Sequence, residues 1–286
     1  MSIHRTAVVD PEAEIGPDVV IGPYCVIGRE VTIGAGCWLQ NQVTICGPVK
    51  IGAKNRFHSF CSIGQQTQDL KYAGEPTYLE IGEGNCFREY VTVNRATAIG
   101  SVTRVGSRGN FLAYSHIAHD CVVEDEVIFS NNGTLAGHVL VQAHAIIGGL
   151  TAIHQFCRIG KHAITGGCSK IVQDVPPYLI ADGNPAVIRG VNIVGLERRG
   201  VSAETIRVLK ESYRILYRSN LNTKQAVEEL EKSFGEVEEV RELIKFIEKS
   251  ERGNPSSFEG WKHILAPHCG RFVLGEETSK LFPARS

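Results

Sequence analysis

The stretch Ser115-His116-Ile117-Ala118-His119-Asp120 holds two imidazoles three residues apart, with a carboxylate beside the second. Side chains of these types support three readings. They could ligate a metal ion. A histidine could serve as general base near neutral pH, oriented by the carboxylate. Or all of them could be solvated groups on a scaffold. The choice depends on where each side chain points, which the surrounding elements decide.

Those elements follow a six-residue period. Steps of six from Ile3 meet an apolar residue every time as far as Ile63, and again from Ile81 through Phe87, Val93, Ile99 and Val105 to Ile159. Thr165 interrupts the series and Ile171 restores it. A second column, four residues after each large one, is small: Val19, Cys25, Cys37, Cys61, and later Ser115, Cys121, Ala145, Cys157 and Ala163. Glycine often follows the large residue, as in Ile15-Gly16 and Ile159-Gly160. The pattern predicts short strands joined at tight corners, three to a triangular coil, with coils stacked at about 4.8 Å. Glycine is expected to supply left-handed backbone at the corners. The fold class is therefore mainly β with a C-terminal α part: a parallel β-helix of hexapeptide repeats over residues 1–190, then a small helical domain over 191–252. It resembles the left-handed parallel β-helices, and the handedness is implied by that resemblance.

The frame fixes directions. Ile117 is a large inward residue, and Ser115 and Cys121 are small inward ones, so His116 faces out. His119 and Asp120 fall at and just past a corner and also face out. His138 lies eighteen residues after Asp120 in the same frame, which stacks the two on adjacent coils. Polar groups converging in this way favour a site over core histidines. The γ-class carbonic anhydrases share the architecture and use three histidine ligands, but with separations unlike these, so spacing favours the base over the metal. In the base reading His119 takes a proton, Asp120 orients it, and the N–H of Gly137, in Leu135-Ala136-Gly137-His138, can approach a developing oxyanion.

Composition narrows the class. The chain has 286 residues, 43% hydrophobic, with a formal net charge of −1. That is enough for a sizeable core, and no basic block points to nucleic acid. No apolar run approaches the ~20 residues of a membrane span, and the first residues lack a signal-peptide core, so a soluble cytoplasmic protein without membrane insertion is expected. The nine cysteines are odd in number and contain no C-x-x-C pair. Five occupy the small inward column, where a free thiol packs as a small apolar group.

Two segments leave the period. Gln65 to Leu79 is polar, contains Gly74-Glu75-Pro76, and reads as an excursion loop on a rigid scaffold. After Gln173 a Pro- and Gly-rich stretch ends the coils. A helix then starts at the N-cap Ser202, a second is capped by Thr223 and runs to Phe234, and a third covers about 236–251. They are expected to cover the open end of the coil. Residues 253–286 have no strong period and stay unassigned.

Several strings together resemble one family closely: QDLKYAGEPT (68–77), HIAHDC (116–121), TLAGHV (134–139), HQFCRIG (154–160), QDVPPY (173–178) and GVNIVGLERRG (190–200). The resemblance is to the UDP-N-acetylglucosamine O-acyltransferases of lipid A biosynthesis, from residue 3 to about 250. It implies that His119 deprotonates the glucosamine 3-hydroxyl, with Asp120 as its partner and the Gly137 N–H on the oxyanion. The hydroxyl would attack the thioester of an (R)-3-hydroxyacyl chain on acyl carrier protein. His116, His138, His154 and Gln155 would contact nucleotide sugar or acyl chain. Gln68, Asp69 and Lys71 would sit on an excursion reaching the neighbouring subunit's site. Asn192, Arg198 and Arg199 match residues for the UDP end or the carrier's phosphopantetheine. Gly167 matches the position limiting acyl length, and glycine there implies a longer chain. A homotrimer with sites in its clefts, and neither cofactor nor metal, is also implied. The chain departs from the family pattern at Val194, where an acidic residue is common near the ribose, and at Ala96.

Overall fold

The computed structural model describes residues 1–254, so nearly all of the unassigned 253–286 segment lies outside the described residues. Short strands, mostly of two residues, wind through three sheets of eleven, nine and eight strands. Apart from a closing antiparallel hairpin the sheets are parallel, and neighbours in a sheet come from successive turns of the prism: Ile117 pairs Val93 on one side and Leu135 on the other. Stacked turns place like residues over like. Phe57, Phe87 and Phe111 lie face on face inside, with centroids 4.9 and 4.8 Å apart. The large column and the small column, including Cys25, Cys37, Cys61, Cys121 and Cys157, form one continuous core, and the described cysteines are free thiols.

The corners correct the expectation placed on glycine. Nineteen non-glycine residues have positive φ, recurring every six residues, for example Glu126, Asn132, His138, His144 and Leu150. The glycines that follow the large residues serve a different need. A Cβ on Gly22 would lie 1.4 Å from the Gln40 carbonyl oxygen, and one on Gly148 would lie 2.4 Å from that of Thr165. Most of them permit close approach of stacked coils rather than left-handed turns; Gly64 and Gly100, with φ of 76° and 72°, are exceptions at the excursions.

Two excursions, not one, interrupt the winding. Ser62 pairs Thr92, thirty residues on, so twelve residues are added to an eighteen-residue turn. Thr92 pairs His116, twenty-four residues on, so six are added. The second insert lies between strands Thr92–Asn94 and Val102–Val105. Ile99, counted by its period as inward, sits on it and is 75% exposed.

The Pro- and Gly-rich stretch does not simply end the sheet. Leu179–Gly183 pairs in parallel with Ile164–Thr165 and then turns back on Ala186–Val191 as an antiparallel hairpin. Four helices follow: α1 (Ile193–Arg198), α2 (Ala203–Arg218), α3 (Thr223–Phe234) and α4 (Glu238–Glu248). α1 was not expected. Ser202 caps α2 as expected, but the cap of α3 is Asn222, which forms a capping box with Gln225. α4 is shorter at both ends than 236–251. Leu196, Ile206 and Leu209 join the core at the hairpin end of the prism, while Val208, Val227, Leu230, Val240 and Leu243 form a second core among the helices. α4 is fastened to the prism wall by the Lys161–Glu242 ion pair at 3.0 Å and by the Tyr178 hydroxyl, which donates to Glu242. No described helix is long and apolar enough to cross a membrane.

Candidate active site

The outward strand residues and the following corners build the site. His116 is on strand His116–Ile117, flanked by Thr92 and Thr134. Its Nδ1 lies 2.7 Å from the Thr92 hydroxyl. Burial, and secondarily His119, hold its pKa below the ordinary histidine value. His119 lies just before the corner residue Asp120, whose φ is 58°. The turn lets these adjacent side chains meet: His119 Nδ1 is 2.9 Å from Asp120 Oδ2. Both are largely shielded, with side chains 14% and 10% exposed, so the contact is not one that water easily replaces.

Asp120 is held from three further directions. Its N–H donates to the buried Thr103 hydroxyl at 2.8 Å. The Thr97 N–H, on the second excursion, donates to its carboxylate at 3.1 Å. His138 Nε2, one coil further on, is 3.7 Å away. Burial alone pushes the Asp120 carboxyl up, but the bonds from His119 and Thr97 outweigh it, and the net value is below the usual carboxylate range. The His138 ring stacks on Phe156 with centroids 4.7 Å apart.

Gly137 lies against the His119 ring. A Cβ there would be 2.3 Å from His119 Cε1 and 2.6 Å from Nε2, so only glycine lets the imidazole sit as it does. Equivalent corners elsewhere have their N–H capped from the preceding coil: Ser59 by Gln40, Ala143 by Glu124 and Lys161 by Gln142, each nineteen residues earlier. For Gly137 that position is Ala118, a methyl group without an acceptor.

These groups open on a cavity of about 670 Å³. Its wall carries His116, His119 and Gly137 with His154 and Gln155 from the next coil, and Gln68, Asp69 and Lys71 from the first excursion. Within one chain the excursion thus borders the same cavity as His116 and His119. His138 and Asp120 stand behind His119 rather than on this wall.

Four expected residues are elsewhere in the chain. Asn192 is buried, donates to the His162 carbonyl at 2.8 Å and accepts from the Gly195 N–H at 3.0 Å. Its amide caps α1. Arg199 leaves α1 to pair with Glu126 at 2.8 Å, away from the cavity. Arg198 is exposed in the last turn of α1, where Val194 is also exposed. Gly167 is exposed at a corner, and a Cβ there would meet only the Gly149 oxygen at 3.5 Å. Sequence reading missed Thr97, Thr103 and Phe156. Thr103 had a weak signal: a hydroxyl in the small inward column, where Ser115 and Thr151 also stand.

Comparison with known proteins follows from this geometry. A family model described as UDP-N-acetylglucosamine O-acyltransferase, domain 2, matches residues 174–254. The solved LpxA of Acinetobacter baumannii is 45% identical, with 89% of this chain and 100% of that chain covered and a TM-score of 0.86. The UDP-N-acetylglucosamine O-acyltransferase of Moraxella catarrhalis is 44% identical over 89% and 100% of the two chains, TM-score 0.85. The Arabidopsis UDP-N-acetylglucosamine acyltransferase is 33% identical over 89% and 100%, TM-score 0.81. Fold and site together define a hexapeptide-repeat acyltransferase built on a left-handed parallel β-helix. More narrowly, the chain belongs to the LpxA family of UDP-N-acetylglucosamine O-acyltransferases.

Proposed function

We propose that the protein transfers an (R)-3-hydroxyacyl chain from acyl carrier protein to the glucosamine 3-hydroxyl of UDP-N-acetylglucosamine, opening lipid A biosynthesis. The observation that carries the mechanism is the His119–Asp120 pair seated against Gly137 on the cavity wall. With Nδ1–H donated to the carboxylate, Nε2 keeps the lone pair and acts as base. It removes the hydroxyl proton as the sugar oxygen attacks the thioester carbonyl. The tetrahedral oxyanion is held by the Gly137 N–H, for which Ala118 provides no competing acceptor. Collapse expels the carrier thiolate, which recovers the proton from the imidazolium. A positioned base contributes about 10²–10⁴ in rate, and one oxyanion donor about 3 kcal/mol.

Lys71 supplies a point charge suited to a diphosphate, with Gln68 and Asp69 beside it. His154 and Gln155 face the same space, for sugar or acyl chain. The protein is a cytoplasmic homotrimer in this proposal, each cavity closed by a neighbouring copy, and the exposed Arg198 takes the carrier or the UDP end. Incubation with UDP-N-acetylglucosamine, its 3-amino analogue and hydroxyacyl carriers of several lengths, read by mass spectrometry, tests the reaction. Ester formation on the hydroxyl sugar is expected; amide formation on the analogue alone, or no transfer from any carrier, overturns it. Light scattering tests the trimer.

One observation favours a rival. Ligand atoms of His119, Asp120 and His138 lie within 4.8 Å of one another, close enough to share a cation. Metal analysis of active protein decides: stoichiometric zinc would replace the base mechanism.

A further inference from the structure

The two excursions touch, and the contact leads to the His119–Asp120 pair. The Asp69 N–H, at the cavity rim, donates to Thr67 Oγ1 at 3.1 Å. Thr67 Oγ1 and Thr97 Oγ1 are 2.8 Å apart, and either hydroxyl can donate. The Thr97 N–H then donates to the Asp120 carboxylate, which meets His119 Nδ1 at 2.9 Å. Thr67 is only 5% exposed, so its hydroxyl needs a protein partner, and Thr97 is one. The surrounding frame ties the first excursion by its backbone carbonyls: the Arg95 N–H donates to that of Gln65 at 2.9 Å, and the Asn94 side-chain amide to that of Gln66 at 3.0 Å. The first excursion projects into solvent just beyond Asp69, where Leu70 is fully exposed. Its rim lies outside the stacked coils and is held by bonds of its own, such as Lys71 N–H to Asp69 at 2.9 Å.

We propose that the Thr67–Thr97 hydroxyl pair couples the cavity-lining excursion to the His119–Asp120 pair, so that seating the sugar nucleotide against the Gln68–Lys71 rim sets the carboxylate that orients the base. Thr67 and Thr97 are positioning residues; neither touches a reacting atom. Thr97 reaches Asp120 mainly through its backbone N–H, with a smaller contribution from its hydroxyl, and the same hydroxyl ties that backbone to the excursion. The six-residue insert exists at the one turn where its loop lies beside Asp120, whereas other turns pass from strand to corner without it.

This inference rests on His119 being the base, and the test separates the two ideas. Thr97→Val keeps the N–H and removes the hydroxyl. It is expected to lower kcat about ten-fold, the scale of one lost hydrogen bond, while KM for the sugar nucleotide changes less than about two-fold. Thr67→Val also frees the Asp69 N–H, so kcat falls to the same extent and KM rises. In the double variant kcat is expected to match the singles, because the pair acts as a unit. Thr67→Ser restores kcat. All values are taken per folded protein, from melting curves at the assay temperature. Unchanged kcat in Thr97→Val, losses that multiply in the double variant, or failure of Thr67→Ser to rescue each overturns the coupling. His119→Ala run alongside distinguishes the failures: an active His119→Ala removes the base and the coupling together, and an inactive one beside a fully active Thr97→Val removes the coupling alone.

Discussion

Gly137→Ala isolates the seating of the base, because it keeps the N–H and adds one methyl group. That methyl would stand 2.3 Å from His119 Cε1, 2.6 Å from Nε2 and 3.0 Å from Nδ1. Non-bonded carbons need about 3.5 Å, so the ring must retreat by about 1 Å. His138 stands edge-on to it with centroids 5.3 Å apart, and Asp120 holds Nδ1 at 2.9 Å. A retreat of that size stretches the imidazole–carboxylate bond past a useful length and moves Nε2 off the path to the hydroxyl. Misplacement by about 1 Å costs on the order of 10² in rate. The fold is affected less, since His119 faces the cavity and can rotate into it; Tm should fall by no more than about 2–4 °C. Steady-state acyl transfer and a thermal melt on one preparation measure both. Turnover within about three-fold of the parent would refute the seating argument, because the clash would then be relieved without disturbing the base.

His119→Ala is expected to abolish turnover and leave the melt intact; substantial remaining activity removes His119 from its role. Gly167→Met should shorten the preferred acyl chain, since the added side chain meets nothing of its own chain closer than the Gly149 oxygen at 3.5 Å and so projects outward; unchanged chain preference in a mixed-carrier assay rejects the groove limit. Chelator treatment should leave turnover unchanged, and loss restored by zinc would favour the cation reading of His119, Asp120 and His138. His162 carries a pH prediction: burial, then His144, push its pKa down to about 4. The unfolded chain binds this proton near 6.5, so stability is full above that pH and is lost as pH falls from about 6.5 toward 4. His162→Phe, at a corner of the kind Phe156 already occupies, should remove about 1 kcal/mol of this acid sensitivity, after discounting for solvent access to the ring. Urea unfolding at pH 7 and pH 5 checks it, and an unaltered pH difference refutes it.

The prism was legible because its period is short and its two columns differ in size. Once the frame is set, the outward placement of His116 and the stacking of His138 on Asp120 follow from counting: His116 lines the cavity, and His138 Nε2 lies 3.7 Å from the carboxylate. The second excursion was invisible for the same reason. Its six added residues are one whole repeat, so the register downstream is preserved, and Ile99 falls on the apolar count while sitting in solvent. An insert whose length is not a multiple of six would have shown as a phase break; the twelve-residue first excursion also keeps the phase and shows only because Asp69 and Glu75 fall on the apolar count. Glycine was misread because spacing reports where a side chain is excluded but not why: the corners accept Asp, Tyr, His and Phe at positive φ, while the crowding is between coils.

The excursions therefore matter more to the site than their composition suggests. Inside the prism every residue is fixed by stacked neighbours, so the scaffold can place His119 but cannot adjust it. Adjustment needs backbone outside the frame, and both segments that leave it converge on this one corner: Asp69 at the cavity rim, Thr97 on the Asp120 carboxylate. The C-terminal residues show the complementary limit. Matching a family string places Asn192 and Arg199 by type, but the amide of Asn192 is committed at both ends to α1 and His162, and the guanidinium of Arg199 to Glu126. Removing the Asn192 amide would uncap α1, a loss on the order of 1 kcal/mol. Arg199 need only leave an exposed ion pair, where the loss is smaller. Of the two, Arg199 can still be recruited by an anionic partner, and Asn192→Ala should destabilise the helical domain before it weakens substrate binding.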